Sequence, residues 1–136
     1  MLVRRTAVLA AVLIGAVVMA GIATPAFADP RDISVGGVWI TRITHDWQGV
    51  SATDRATEVT RRITEVLSDP KFRQGAVVAV KKDGAGAIIT VGDLLVFTVT
   101  PADAEGSGTP MEVAKHWATS LGQGLTKALP GSTFFF

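Results

Sequence analysis

The sequence predicts a small α+β domain, with one antiparallel sheet under two helices in the order ββ-α-βββ-α, carried behind an apolar leader. Three observations predict it. Apolar residues recur at three- and four-residue steps in only two stretches, 51–69 and 109–129, the period of a helix with one buried face. The stretch between them, "AVVAVKKDGAGAIITVGDLLVFTVT", is rich in β-branched residues and broken twice by Gly turns, which reads as a three-stranded meander. A third run, "ISVGGVWITRIT", carries Gly36-Gly37 at its centre, as a tight hairpin turn needs.

The first 28 residues are set apart by composition. Arg4 and Arg5 precede a nearly uninterrupted apolar run from Thr6 to Ala23, and Ala26-Phe27-Ala28 offers the small residues a signal peptidase accepts. Residues 1–28 therefore read as a secretory signal peptide cut after Ala28, leaving residues 29–136 as one domain in the periplasm or outside the cell. An uncleaved anchor is the alternative. The chain carries 13 basic and 12 acidic residues, and Arg4 and Arg5 fall in the leader. The remainder is nearly balanced, so nucleic acid is not an expected partner. No cysteine is present, so packing alone must hold the exported domain together.

Each element has its own signal. The hairpin gives two strands, the second bearing Trp39, Ile40 and Ile43, and "HDWQG" leaves the sheet as a loop. Ser51 and Asp54 have capping-box spacing, and Ala52, Ala56, Val59, Ile63, Val66 and Leu67 form the buried stripe of the first helix. Arg55, Glu58, Arg61, Arg62 and Glu65 fall largely on its polar face, and Asp69-Pro70 ends it. Strands follow over 76–82, 87–91 and 94–100. The third is apolar on both faces, which suggests a central strand, or one covered by helices on one side and loops on the other. Thr109, Pro110 and Glu112 open the second helix, whose stripe is Ala114, Trp117, Ala118, Leu121 and Leu125. Gly122 and Gly124 each cost that helix about 1 kcal/mol relative to alanine. Their presence predicts either a marginal helix end or a close approach there.

The candidates for chemistry are few. From within "TVTPADAEGSG" onward, Asp103, Glu105, Ser107 and, just past it, Thr109 take the first, third, fifth and seventh positions of an EF-hand, but Ala114 stands where the bidentate Glu belongs. The stretch reads as an exit loop over 101–108, with Asp103 in an Asx-turn, and no metal or cofactor is expected. His45, beside Asp46 and Trp47, and His116 on the second helix are the general bases available to a small exported hydrolase. Ser107 lacks the residues of a nucleophile elbow, and "KKDGAGA" has the wrong order for a phosphate loop. Trp47 is the loop aromatic to examine for ligand or partner contact. The tail 130–136 ends in Phe134, Phe135 and Phe136, which do not suit a bare surface. They fold back as an edge strand, dock in a partner or touch lipid.

Three stretches in order, "SVGGVWITRI", "SATDRATEVTRRITEVLSDP" and "AIITVGDLLVFTVTPADAEGSGTPMEVAKHWATSL", resemble the exported N-terminal domain that precedes the pore in certain bacterial channels of the small-conductance mechanosensitive type. The resemblance spans residues 33–129 and implies the fold and a place outside the cytoplasmic membrane. It implies no catalytic residue. The chain stops at Phe136, so a pore is not expected. The reading that follows is a non-catalytic accessory or interaction domain of the cell envelope. Its expected partner is an envelope or membrane protein, with candidate contacts at His45, Trp47 and Phe134 to Phe136. Membrane contact is expected only through an uncleaved leader or the Phe tail.

Overall fold

The computed structural model describes residues 29–136, so the leader and its cut after Ala28 lie outside the described residues. The elements are β1 (Asp32–Val35), β2 (Val38–Arg42), α1 (Ala52–Ser68), a 3-10 turn (Pro70–Phe72), β3 (Gly75–Asp83), β4 (Gly86–Val91), β5 (Leu94–Val99), α2 (Pro101–Ala104), α3 (Pro110–Ala128) and β6 (Thr133–Phe135). The α+β class and the order of the two long helices and five of the strands follow the expectation.

Four details depart from it. There are two sheets, not one: β1 and β2 form a separate antiparallel ribbon, while β5-β4-β3-β6 form a four-stranded sheet. That sheet is mixed, because the Phe-rich tail returns as β6 and pairs parallel with β3, Thr133 opposite Gly75 and Phe135 opposite Val77. β5 is an edge strand rather than a central one; its apolar inner face meets α3 and α1, and its outer backbone edge is met by a side chain described below. The exit loop contains a helix, α2, opened by a complete capping box. Thr100 Oγ1 accepts from the Asp103 amide and the Asp103 carboxylate accepts from the Thr100 amide. The anticipated boxes at Ser51 and Thr109 supply the side-chain-to-amide half, and at α1 the first amide, Ala52 N, donates instead to Asp46.

The helix α3 is the centre of the packing. One side lies on the inner face of the large sheet, where Trp117 sits tilted against Phe97 at 5.4 Å, amid Val78, Ile89, Val91 and Leu121. The other side carries the β1–β2 ribbon. Of the two glycines that weaken this helix, Gly124 marks a close approach. A Cβ at Gly124 would lie 2.5 Å from the Val35 carbonyl oxygen and 2.5 Å from Val35 Cγ1, and one at Gly36 would lie 2.3 Å from the Gly124 carbonyl. Gly36 and Gly37 both have positive φ, as a two-residue hairpin turn requires, and at Gly36 the turn meets the helix backbone.

The outer face of the large sheet carries Val77, Ala79, Ile88, Thr90 and Leu95, next to a register shift at Ile89/Thr90. Thr90 Oγ1 is buried there with no hydrogen-bond partner. An orphaned hydroxyl costs its desolvation without return. Thr90→Val keeps the shape and removes the cost, so it is expected to raise unfolding stability by about 1 kcal/mol, measured by urea denaturation.

Candidate functional site

α1 places Arg55 and Arg62 on the flank of its buried stripe. The series Ala52, Arg55, Val59, Arg62, Val66 steps by three and four residues, so both arginines lie beside the core rather than on the far polar face. Arg55 turns inward. Its guanidinium meets the Asp103 carboxylate side-on, with Nη1 to Oδ1 at 3.0 Å and Nη2 to Oδ2 at 2.7 Å. The same two nitrogens donate to the carbonyls of His45, at 2.6 Å, and Thr98, at 3.3 Å. The Arg55 side chain is 10% exposed and that of Asp103 3%. This pair joins the β2–α1 loop, α1, the outer edge of β5 and the start of α2.

Burial pushes the Asp103 carboxyl up, but the hydrogen bonds from Arg55 and Thr100 and the Arg55 charge outweigh it, and the group sits below its ordinary value. A carboxyl lowered in the folded state contributes stability that is present above its unfolded value and lost as pH falls through the folded one. Stability is therefore expected to decline with acid from about pH 4 downward, and Asp103→Asn, compared by pH-dependent denaturation, should show a shallower slope there. Some slope remains in that variant, because hydrogen bonding from Arg61, with the charges of Arg61 and Arg62, brings the half-exposed Glu58 down to about 2.

Beside this pair opens a groove of about 600 Å³. Its floor is apolar, with Ile43, Val59, Ala87 and Val99, and its charged wall is Arg55, Glu58 and Arg62. The tip of the β3–β4 hairpin, Asp83 to Gly86, forms the facing end. The lip is Trp47-Gln48-Gly49-Val50, which is a miniature hairpin rather than a plain loop. Trp47 and Val50 exchange both backbone hydrogen bonds at 2.9 Å. Gln48 and Gly49 have φ of 50° and 79°, the left-handed geometry a two-residue hairpin requires. A glutamine held at positive φ is strained, and strain of this kind gathers where side chains must be aimed. Here it sets Trp47 (38% exposed) and Val50 side by side over the groove.

Of the candidates read from sequence, Trp47 lines the groove. His45 sits behind it, with Nδ1 3.0 Å from Thr44 Oγ1 and 4.0 Å from Asp103 Oδ1. His116 stands exposed on α3, without an ion pair or side-chain hydrogen bond among the described residues. The two histidines are not joined by any contact. Phe134 is buried, while Phe135 and Phe136 are more than half exposed at the far edge of the sheet, away from this groove. Asp103, expected in an Asx-turn of a plain exit loop, is instead the third residue of α2 and the partner of Arg55. No group of three or more His, Asp or Glu side chains converges to hold a metal among the described residues, and no helix there is long and apolar enough to cross a membrane. The residue that sequence reasoning missed is Arg55. The signal was present in its place within the three-and-four series and in the Thr100-Pro101-Ala102-Asp103 spacing.

No curated protein matches the chain, and no solved structure does. A family profile matches residues 32–128, from the first strand to the last residue of α3, so the arginine–aspartate pair and the groove fall within it while β6 lies outside. The chain belongs to the family described as Domain of unknown function (DUF8459).

Proposed function

We propose that this is a non-catalytic binding module of the cell envelope, exported by its leader, that engages a protein partner through the Trp47 groove. The observation that carries the reading is an aromatic side chain held open at the lip of a groove whose one deeply buried ionisable pair is already spent. Asp103, whose carboxylate lies 4.0 Å from His45 Nδ1, too far for a hydrogen bond, already accepts from Arg55 twice and from the Thr100 amide, so its oxygens are engaged in holding the fold rather than in orienting the imidazole. A hydrolase built on His45 or His116 would need a free acid and a nucleophile beside one of them. The likeness to the extracytoplasmic domain of small-conductance mechanosensitive-type channels supports the same reading and the same side of the membrane.

A photo-reactive residue at position 47 tests it. On irradiation of intact cells, a discrete adduct with an envelope protein is expected from position 47 and none from position 116 on α3. Equal labelling at both positions, or none at 47, contradicts the proposal. Trp47→Ala is expected to abolish partner capture while the domain stays folded, with a stability loss of about 1–2 kcal/mol because the ring is only 38% exposed.

A further inference from the structure

The other unexplained feature is the β6 edge. A sheet edge normally offers free amides and carbonyls to an incoming strand. Here that offer is reduced. Phe134, the residue of β6 whose backbone faces outward, donates its amide to Thr126 Oγ1 of α3 at 3.1 Å, while that hydroxyl gives its own proton to the Gly122 carbonyl at 2.9 Å. The outward amide of this three-residue strand is spent, and what the edge presents is mainly side chains.

Those side chains form a wedge. Phe135 and its register partner Val77 stand on the outer face of the sheet, 55% and 48% exposed. Phe136 turns to the other side and, 56% exposed, lines a shallow cleft of about 500 Å³ with Phe134, Thr119, Gln123, Thr126 and Lys127. The exposed charges around the wedge are mainly positive. Lys127 lies in the cleft with Phe136, Arg73 precedes the start of β3, and Lys81 shares the outer face with Val77. The nearby acid in the β4–β5 turn, Asp93, is paired with Lys71 at 3.3 Å.

Aromatic side chains projecting from both faces of this short edge, flanked by Arg73, Lys81 and Lys127, match the interface of an anionic bilayer: rings enter the headgroup layer while lysine and arginine meet the lipid phosphates. We propose that the β6 edge docks on an anionic lipid surface, with Phe135 and Phe136 inserted and Arg73, Lys81 and Lys127 in the headgroup layer.

The chain has no cysteine, so a single one can be placed and labelled. The full chain carrying Phe135→Cys, labelled with an environment-sensitive fluorophore, is mixed with vesicles of phosphatidylcholine containing one third phosphatidylglycerol. A blue shift at position 135 is expected, absent for the same label at Lys115→Cys on α3, and weaker by at least tenfold in affinity with pure phosphatidylcholine. Combining the labelled chain with Arg73→Gln and Lys127→Gln should weaken the response by about thirtyfold. Three results overturn the proposal: no shift at 135, equal shifts at 135 and 115, or a response indifferent to lipid charge. A shift that appears without vesicles and tracks a doubling of mass on light scattering assigns the wedge to a second copy and overturns it as well.

Discussion

Arg55→Met is expected to lower unfolding stability by about 3–5 kcal/mol, read as a lower denaturation midpoint at unchanged slope. The size follows from what is left behind. Asp103 would remain nearly fully buried with its charge uncompensated and one hydrogen bond, from the Thr100 amide, in place of three. The carbonyls of His45 and Thr98 would lose their donor too, and Thr98 is on the open edge of β5, where no neighbouring strand can replace it. Lysine is not expected to rescue the variant, because a single ammonium cannot serve two carboxylate oxygens and two carbonyls in the plane of a guanidinium. Replacing both partners, as Arg55→Met with Asp103→Leu, should recover a large part of the loss, since apolar groups of similar size avoid burying any charge.

Gly124→Ala is the second large effect, a loss of about 2–3 kcal/mol by the same measurement. Helix propensity alone would predict a gain of about 1 kcal/mol, and sterics reverse the sign. The added methyl would strike both the carbonyl oxygen and a side-chain carbon of Val35, and the β1–β2 ribbon would have to lift from α3. Two residues earlier the outcome should differ. A Cβ at Gly122 meets the Phe134 carbonyl oxygen at 3.4 Å and Val78 Cγ2 at 3.8 Å, which is ordinary contact. Gly122→Ala is therefore expected to be neutral or to stabilise by up to about 1 kcal/mol. Opposite signs from two glycines two positions apart would show that one is required by packing and the other is tolerated.

Much of the fold was legible because most of its elements obey local rules. The α1 and α3 stripes, their caps and the β3–β4–β5 meander depend on residues within one turn or one strand of each other. Most of the misreadings involve contacts distant in sequence; α2 and the Trp47–Val50 hairpin are the local exceptions, each closed by hydrogen bonds three residues apart. Nothing in "STFFF" says that it pairs with residues 75–77, because strand pairing is set by the three-dimensional path and not by local pattern. The edge position of β5 was hidden for a related reason. A strand apolar on both faces reads as central, yet its free backbone edge is served by Arg55, 43 residues away from Thr98. The candidate site divides in the same way. Trp47 was visible as a loop aromatic beside Gly49. The strained turn that presents it needed the observed positive φ of Gln48, a residue type with no preference for that geometry. Arg55 was counted as solvated because arginine usually is, and the fork that buries it needed Asp103 from another element.

A structural tie between four segments requires the Arg55 and Asp103 side chains to be energetically coupled. A double-mutant cycle on these two residues, read by denaturation, tests this most directly. The predicted coupling is large, about 2 kcal/mol or more, with each single variant far less stable than the double would suggest by addition. Single variants as stable as the parent, with coupling near zero, would contradict it.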